Sequence, residues 1–565
     1  IDPNFSDVTY DIKKLQEYLN GVLQLEGVAC KDWLTNKVDR CVTGRVAKQQ
    51  TAGPLQLPLN NVCVMALDYR GEKGIATSIG HAPVSALLDP VAGSQLSIAE
   101  ALTNIIWAPI ENGLSGVSLS ANWMWPAKNE GENARLYKAV EAVSDFACDL
   151  GINIPTGKDS MSMTQKYKDG VVYAPGTVII SAGAEVIDLK QVVEPVLQPN
   201  FESTLLYVNL SDGEFKLGGS SFAQIVGKVG KAAPTVDDAD RFANTFNMVQ
   251  ALIREGKILA GHDVSAGGLI TALLEMTFAQ VDLGIAANLK EIKGIDDIAT
   301  FFSEQPALVL QVANEDLEDI KTLFDDIDAS YLEIGSPIGE PILSIQTTTQ
   351  SYLLDIASLR DTWYKTSYLL DQKQSGEALA KERFDNYKKQ PLSFTFPEGF
   401  EGQYAALGLD PDRKGKTGVK AAIIREKGVN GDREMAYAMH LAGFDVKDVH
   451  MTDLISGAED LSDVNFIAFV GGFSNSDVLG SAKGWAGAFL YNEKAKLALD
   501  NFYAREDTIS LGICNGCQLM GELGLLYPEH KVHPKLDHNI AHKFESGFVN
   551  VTIPKNNSVM LSGLA

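Results

Sequence analysis

The sequence predicts a multidomain protein of mixed α/β and α+β fold class, with a doubly wound α/β domain in its last third. Its 565 residues suffice for three or four domains, each with a core of its own. Apolar runs near 419–431, 443–446 and 466–474 are each followed by glycines and a helical pattern, which is typical of a doubly wound parallel sheet. The region before them mixes short strand candidates with helical patterns, which predicts further mixed domains.

These patterns divide the chain into five segments. Residues 1–35 are predicted to be a linker or docking helix, 36–200 and 201–345 two mixed units, 346–416 a long linker broken by Pro391 and Pro397, and 417–565 the doubly wound domain. Strands are predicted at 62–67, 117–121, 177–183, 205–208, 307–313 and 341–345, and helices at 94–106, 133–150, 238–255 and 267–280.

The clearest chemistry lies in Gly512-Ile513-Cys514-Asn515-Gly516, between a short apolar run and a run of helix formers. This is the pattern of a nucleophile elbow with cysteine as the nucleophile. Gly512 and Gly516 suit a sharp turn that tolerates only small neighbours. The turn would place the Cys514 thiol at a helix N-terminus, where the dipole favours the thiolate.

Three alternative roles for Cys514 remain open, one of them that of a plain structural thiol. Cys514-x-x-Cys517 is also the spacing of a redox pair, or of half a zinc site completed by downstream histidines. A structural zinc site normally has a second tight ligand pair, however, and a redox pair more often has Trp or Pro beside it. A catalytic nucleophile is therefore favoured over a redox pair, a metal site or a structural thiol.

An oxyanion site is predicted next to this elbow. The apolar run 466–470 ends at Gly471-Gly472, which leaves backbone N–H groups bare at the end of a strand. The Gly472 N–H, together with the N–H of Asn515, is suited to stabilise a developing oxyanion.

Three motifs in the first half are candidates for phosphate or metal binding. The first is a predicted loop in which Gly157 is followed by Lys158, Asp159 and Ser160. A P-loop is excluded because five residues separate Gly151 from Gly157, whereas the P-loop motif has four residues between its two glycines. The same residues are equally typical of an ordinary capped turn. Glu100 and Asn104 lie four residues apart on one helix face, so they suit a shared hard cation, although this spacing is more common on a solvated polar face.

The third motif is more specific. Polar residues and glycines in the sequence 261–268 stand directly before an apolar helix. Ser265 is predicted to cap that helix, the glycine N–H groups to receive an anion, and Asp263 to bring a magnesium ion. A plain capped helix would need only Ser265, so the additional residues favour a functional site.

Composition excludes several classes of function. The formal net charge of −25 argues against nucleic-acid binding, which needs a basic face. No stretch approaches the roughly 20 apolar residues that a membrane span needs, and Ile1-Asp2-Pro3 does not open a signal peptide. Six scattered cysteines indicate a reducing compartment, so a cytoplasmic location is expected.

The motifs together resemble one enzyme family. The doubly wound segment resembles a flavodoxin-like class I glutamine amidotransferase domain, and several of its strings resemble the large-type phosphoribosylformylglycinamidine synthases. Motifs from the first half occur in the order typical of the same family and resemble the second of its two aminoimidazole-ribonucleotide-synthetase-like halves. The strings are 38–44, 53–58, 86–90, 100–104, 119–124, 157–163, 261–269, 425–431, 448–454 and 471–480.

The resemblance implies a glutamine-dependent carbon–nitrogen ligase of purine biosynthesis. Its reaction converts formylglycinamide ribonucleotide, glutamine and ATP to formylglycinamidine ribonucleotide, glutamate, ADP and phosphate. It implies that Glu100, Asn104 and Asp263 hold Mg²⁺ on ATP or ADP, and that Lys31, Asn60 and Ser265 contact the nucleotide. The chain departs from the family pattern at three positions: Asn61 stands where a metal-binding Asp is common, Ala266 where Asp is common and Asn475 where Tyr is usual.

Some family features have no counterpart here. Nothing resembles the N-terminal domain or the first synthetase half with its catalytic ATP site, and no His-x-Glu pair follows Cys514 to complete a triad. The chain is therefore expected to be a fragment whose partner is the remaining N-terminal part of the same enzyme. Another ammonia-using synthetase and a non-catalytic nucleotide-binding fragment are the alternatives.

A first prediction follows from that expectation. The purified 565-residue chain should form no formylglycinamidine ribonucleotide when it is given ATP, Mg²⁺ and ammonium salts. The measurement is product formation over hours at high protein concentration. Turnover above a reaction without protein would contradict the prediction.

Overall fold

The computed structural model describes residues 5–211, 213–292, 296–396 and 398–565, so Pro397 lies outside the described part. It divides into two compact units. The first runs to Ser393 and includes Ala541–Ala565, and the second is Phe394–Ile540. Each unit is built around sheets that are covered by helices, which confirms the predicted mixed α/β and α+β fold class.

The first sheet of the first unit has six strands in the order β1-β4-β5-β10-β6-β7, and only β6 and β7 pair in parallel. The strands of this region are β1 Val46–Lys48, β2 Thr51–Ala52, β3 Leu57–Pro58, β4 Cys63–Ala66, β5 Gly74–His81, β6 Ser118–Met124, β7 Asn153–Ser160, β8 Thr164–Tyr167, β9 Gly170–Tyr173 and β10 Thr177–Val186. The helices are α1 Leu15–Gln24, α2 Asp32–Thr35, α3 Pro83–Leu88, α4 Pro90–Ile105 and α5 Glu132–Asp149.

Helix α4 positions a candidate site residue, Glu100, against this sheet. Asp89 caps the helix through the N–H groups of its first turn, and Pro90 fits the first helical position. Strand β5 comes so close that a Cβ on Gly80 would lie 2.2 Å from the Ser97 carbonyl oxygen. The glycine therefore permits the close packing that fixes the helix on the sheet.

The second sheet of this unit has seven strands in the order β12-β14-β11-β15-β13-β16-β17. The strands are β11 Ser203–Asn209, β12 Ile258–Val264, β13 Gly284–Asn288, β14 Ala307–Ala313, β15 Ser330–Ile338, β16 Ile342–Gln346 and β17 Ser351–Asp355. The helices are α6 Ser221–Ile225, α7 Ala239–Arg254, α8 Gly268–Phe278, α9 Asp297–Phe302, α10 Leu317–Asp326, α11 Ile356–Ser375 and α12 Glu377–Asn386. The strands and helices predicted in both mixed units are confirmed, with ends that differ by a few residues.

The two sheets share one core. Phe146 of α5 packs edge-on against Phe242 of α7, with ring centroids 6.2 Å apart. A second cluster joins α1, α8 and α11, where the buried Trp363 donates its indole N–H to the Val28 carbonyl at 3.0 Å. Part of the stretch expected to be a linker, 351–386, thus forms a strand and two helices that pack within this unit.

The segment Ala541–Ala565 also packs on the first unit. Lys543 Nζ lies 2.9 Å from Asp371 Oδ1, and the Ser546 N–H donates to the Asn36 carbonyl at 2.7 Å. These contacts hold a segment of irregular chain, most of it without strand or helix, on α11 and the turn after α2.

The second unit is a parallel four-stranded sheet in the order β19-β18-β20-β21, formed by β18 Lys420–Arg425, β19 Asp445–His450, β20 Phe466–Phe469 and β21 Ile509–Gly512. The helices are α13 Asp432–Leu441, α14 Met451–Ser456, α15 Lys483–Leu490, α16 Glu493–Tyr503 and α17 Asn515–Glu522. Separate apolar clusters cover its two faces. In sequence order the strands run 2-1-3-4, so the predicted doubly wound, flavodoxin-like arrangement is confirmed.

A buried ion pair provides a stability prediction for the first unit. Asp32 accepts from Arg383 Nε at 2.7 Å and from the Tyr364 hydroxyl at 2.6 Å. Although burial disfavours its charge, Arg383 and the hydrogen bonds to Asp32 lower the pKa of this carboxyl below its usual range. Its contribution to stability is therefore present above about pH 4 and is lost as the pH falls through the lowered folded-state pKa.

Asp32→Asn should lower the free energy of unfolding at pH 7 by about 2–4 kcal/mol, because it leaves Arg383 without its carboxylate. Urea unfolding at pH 7 and pH 3 measures the effect, and the difference from the wild type should shrink at pH 3. Asp319→Asn, at an exposed position, is the control and should change stability by less than about 0.5 kcal/mol. Equal effects of the two variants would contradict the prediction.

Candidate functional site

The turn between β21 and α17 has the geometry of a nucleophile elbow. Cys514 stands at the N-cap of α17 with φ 53° and ψ −112°, a backbone conformation that is strained for a residue with a side chain. Its side chain is exposed. The strained turn thus presents the thiol at the carboxyl end of the parallel strand β21, where α/β sheets carry their sites.

The glycines around Cys514 are required by close packing. A Cβ on Gly516 would lie 2.1 Å from the Phe469 carbonyl oxygen, and one on Gly512 would lie 2.6 Å from Met520 Sδ. A Cβ on Gly471 would lie 3.0 Å from Cys514 Cβ and 3.8 Å from its Sγ. The elbow therefore depends on small residues on both of its sides, as the sequence predicts.

Gly472 lies in the backbone that passes Cys514. It has φ 118° and forms a bridge with Val429. The bridge is made by the Asn430 N–H, which donates to the Gly471 carbonyl at 2.8 Å, and by the Phe473 N–H, which donates to the Gly428 carbonyl at 3.0 Å. Neither hydrogen bond uses the Gly472 N–H, and the preceding residue, Gly471, is the one that packs against Cys514.

The surroundings of Cys514 give no support to a metal or disulfide site. All six cysteines are free. In the described ranges, no group of three or more His, Cys, Asp or Glu side chains is arranged to hold a metal ion. A thiol that is exposed, unpaired and set in an elbow is best suited to nucleophilic attack.

The first unit brings several of the other candidate residues together at the end of β12. Asn61 Nδ2 donates to Asp263 Oδ1 at 2.6 Å, although Asn61 and Asp263 are far apart in sequence. Asp263 Oδ2 is buried without a hydrogen-bond partner. On α4, Asn104 Nδ2 donates to Glu100 Oε1 at 3.2 Å. Burial and the nearby charge of Asp263 raise the pKa of Glu100 well above its usual range.

This cluster fits a hard cation. The cluster holds two carboxylates that repel each other, and one oxygen of Asp263 is buried without a hydrogen-bond partner. A divalent ion with oxygen ligands would compensate both features. Glu100, Asp263 and the amide oxygens of Asn104 and Asn61 are the donors of that chemistry. Two of these four residues are carboxylates and two are amides. The set is therefore not a group of three His, Cys, Asp or Glu side chains, which the described residues do not contain in a metal-binding arrangement.

Sequence reasoning missed the positive charge in this cluster. His262 Nδ1 lies 3.2 Å from Asp263 Oδ1, and its Nε2 lies 3.2 Å from Glu275 Oε2. Burial lowers the pKa of His262, but the hydrogen bonds to and charges of Asp263 and Glu275 outweigh it and raise the pKa to about 10. The sequence does place His262 directly before Asp263, which indicates that the imidazole and the carboxylate can interact.

The start of helix α8 differs from the prediction. Ser265 was predicted to cap it, but the N-cap is Gly267, with φ 94° and no side-chain cap. The Gly267 N–H donates instead to Glu304 Oε1 at 2.7 Å, and the Ser221 N–H donates to the same oxygen at 2.8 Å. The prediction of a Ser265 cap is wrong because two left-handed glycines begin the helix and a distant carboxylate takes the N–H group.

The remaining candidates of the first unit lie at different places. Lys31 lies close enough to Glu275 to interact with its charge. Burial lowers the pKa of Lys31, and the negative charge of Glu275 partly offsets this effect. Asn60 uses its amide nitrogen to hold the Gln49 carbonyl at 2.6 Å. Ser265 contributes its carbonyl oxygen to the turn before α8, where it accepts from the Gly268 N–H at 2.9 Å.

The predicted loop at Gly157–Ser160 is wrong, because these residues form the end of strand β7. They pair in parallel with β6, with Lys158 opposite Asn122. Lys158 Nζ turns along its own strand to Asp159 O, at 2.7 Å, and to Ser160 Oγ. The strand lies at the edge of its sheet and is mostly exposed, so its residues are polar and show no apolar alternation that would predict a strand. No contact described for these residues joins them to Asp263.

Comparison with known protein families finds matches for three parts of the chain. Residues 30–185 match the FGAR-AT PurM_N-like domain, residues 205–346 the C-terminal domain of AIR synthase related proteins, and residues 418–565 the CobB/CobQ-like glutamine amidotransferase domain. The three matches follow one another in the order of the predicted segments. Among the described residues, none of the helices has the combined length and apolar character of a membrane span.

Individual relatives agree with these matches. The chain is 41% identical to the probable phosphoribosylformylglycinamidine synthase, chloroplastic/mitochondrial, of Arabidopsis thaliana, over 97% of this chain and 39% of that protein. It is 40% identical to the phosphoribosylformylglycinamidine synthase of Homo sapiens, over 97% of this chain and 42% of that protein. Among solved structures, T. maritima PurL complexed with FGAR matches with a TM-score of 0.47 and 13% identity, over 61% of this chain and 53% of that chain. The chain is therefore similar over nearly its whole length to phosphoribosylformylglycinamidine synthases, and it spans about two fifths of the length of the relatives it matches.

Proposed function

We propose that this chain is the glutamine-hydrolysing and second synthetase-like part of a phosphoribosylformylglycinamidine synthase. The whole enzyme would convert formylglycinamide ribonucleotide to formylglycinamidine ribonucleotide, with ATP and with ammonia released from glutamine. The observation that carries the proposal is the strained Cys514 elbow beside the Gly472 strand end, in a domain that matches the glutamine amidotransferases. Its expected partner is the remainder of the same enzyme.

The elbow supports a thioester route. The Cys514 thiolate attacks the carboxamide carbon of glutamine, a carbon–sulfur bond forms, and the carbonyl oxygen takes the electron pair of the C=O π bond. The N–H groups of Gly472 and Asn515 stabilise that oxyanion. Collapse of the tetrahedral intermediate breaks the carbon–nitrogen bond, and the leaving nitrogen takes a proton from a general acid and departs as ammonia. Water then hydrolyses the thioester to glutamate and restores the thiol.

The second synthetase-like part is proposed to hold ADP or ATP with Mg²⁺. Glu100, Asn104, Asn61 and Asp263 would hold the cation, and Lys31, Asn60 and Ser265 would contact the nucleotide. When bound, the cation neutralises the carboxylates and fixes the nucleotide phosphates. Lys158, Asp159 and Ser160 are a weaker proposal for phosphate contact, since they lie on an exposed edge strand. A cytoplasmic location is proposed from the six free cysteines.

The test is an assay of the full-length gene product with formylglycinamide ribonucleotide, ATP and Mg²⁺. Either glutamine or an ammonium salt should support formation of formylglycinamidine ribonucleotide, with one glutamate formed per product when glutamine is the donor. Glutamine hydrolysis that couples only to a different acceptor would support the rival class of ammonia-using synthetases. Nucleotide binding without either activity would support a non-catalytic fragment.

A further inference from the structure

The loop that follows Gly472 is held in an unusual conformation. Asn475, Ser476 and Asp477 have φ values of 51°, 55° and 48°, so three consecutive residues with side chains occupy the left-handed region. Such residues persist there only when their surroundings fix them, and they cluster at functional sites. The first of these residues, Asn475, lies three residues after Gly472, one of the two proposed oxyanion donors.

The side chain of Asn515 is what fixes this loop to the elbow. Asn515 is 1% exposed. Its Oδ1 accepts from Ser474 Oγ at 2.6 Å and from the Ser474 N–H at 3.4 Å. Its Nδ2 donates to Asp477 Oδ1 at 3.2 Å and to Gln518 Oε1 at 3.1 Å. One amide thus contacts both ends of the loop and the first turn of α17.

Asp477 extends the same network on the loop side. Its Oδ1 also accepts from the Ala482 N–H at 3.3 Å, and Ala482 is the N-cap of α15. Ser474 lies two residues after Gly472 and is buried, so its position constrains the backbone that leaves Gly472. The backbone N–H of Asn515 is the other proposed oxyanion donor. The Asn515 side chain therefore connects the two donors through the buried Ser474 and two residues of backbone.

We propose that the Asn515 side chain is a positioning group that clamps the loop 474–477 and so sets the distance between the Gly472 and Asn515 N–H groups. The proposal rests on the proposed glutaminase function of Cys514. Catalysis of this kind depends on donors placed where the oxyanion forms, and a misplacement of about 1 Å costs about 100-fold in rate. A buried asparagine with only a structural role would instead affect folding without a specific effect on kcat.

The test is a charge-conserving exchange in the full-length enzyme, measured as glutamine hydrolysis. Asn515→Asp places two carboxylates about 3 Å apart, and it should lower kcat about 100-fold while KM changes less than about threefold. The double variant Asn515→Asp with Asp477→Asn restores one donor and one acceptor and keeps the wild-type net charge. The kcat of this double variant should be at least about tenfold higher than that of Asn515→Asp alone. Asn492→Ala removes the cap of α16, outside the site, and should leave kcat unchanged.

Two further measurements separate the possible outcomes. Ser474→Ala removes the 2.6 Å contact without adding a charge, so it reports on the clamp even where Asn515→Asp does not fold. It should lower kcat about tenfold at constant KM. Cys514→Ala, assayed in parallel, tests the glutaminase function itself. The clamp is wrong if Cys514→Ala abolishes hydrolysis while Ser474→Ala keeps wild-type kcat, or if the exchanged pair recovers nothing. If Cys514→Ala retains hydrolysis, the proposed function is wrong instead.

Discussion

Replacement of Cys514 by alanine should abolish glutamine-dependent synthesis in the full-length enzyme, by about 10⁴-fold or more, because it removes the sulfur that we propose forms the thioester. Synthesis from added ammonium salts should remain within about threefold of the wild type. Alanine removes only the sulfur, and the strained turn is fixed by the packing of Gly512 and Gly516 rather than by the thiol. The measurement is product formation with each nitrogen donor at saturating ATP.

Cys517→Ala is the matched control, because Cys517 lies one turn further on the same helix and is only half-buried. It should retain most of the glutamine-dependent activity. A redox pair or a zinc site would need both sulfurs, so equal losses in the two variants would exclude the nucleophile assignment. Loss of the ammonium-dependent reaction in a folded Cys514→Ala enzyme would exclude it as well.

The elements that sequence reasoning located are those specified by local pattern. Two strands of the doubly wound sheet, β20 and β21, are short apolar runs that lead directly into glycines, and such a pattern can be recognised without knowledge of tertiary contacts. The elbow was predictable because its steric demand falls on neighbours of Cys514 in sequence, namely Gly512 and Gly516. The strand β7 was not predictable, because Lys158, Asp159 and Ser160 show no apolar alternation on an exposed edge.

The features that sequence reasoning missed depend on residues distant in sequence. Glu304 accepts a hydrogen bond from the Gly267 N–H at the start of α8, although α8, β13 and α9 separate Gly267 from Glu304 in the sequence. The charge on His262 depends in the same way on Glu275, which approaches from α8. Asn and Asp tolerate the left-handed region found at Asn475–Asp477, but the contacts that hold it there come from distant residues, the Lys427 carbonyl and the Asn515 side chain. Local propensity and period carry no information on such partners.

A second large effect is expected at the carboxylate cluster of the first unit. The double variant Glu100→Ala, Asp263→Ala of the full-length enzyme should lose the nucleotide that we propose is held there, with at least about tenfold less ADP or ATP in the purified protein. The physical reason is that both carboxylates proposed to compensate a divalent ion are removed, including the Asp263 oxygen that has no protein partner. Nucleotide released by denaturation is measured by absorbance, and Mg²⁺ by elemental analysis.

Stability provides the second readout and needs its own control, because Asp263 also pairs with His262. Added Mg·ADP should raise the melting temperature of nucleotide-stripped wild type, since a ligand at about 100 times its Kd stabilises by about 2.7 kcal/mol. It should leave the double variant unchanged. Asp297→Asn removes another buried carboxylate, which accepts from the Tyr352 hydroxyl at 2.6 Å, outside the cluster. That control should lower the melting temperature and yet retain the nucleotide and its stabilising effect. Full nucleotide content in the double variant, or equal loss in Asp297→Asn, would show that the cluster does not hold the nucleotide.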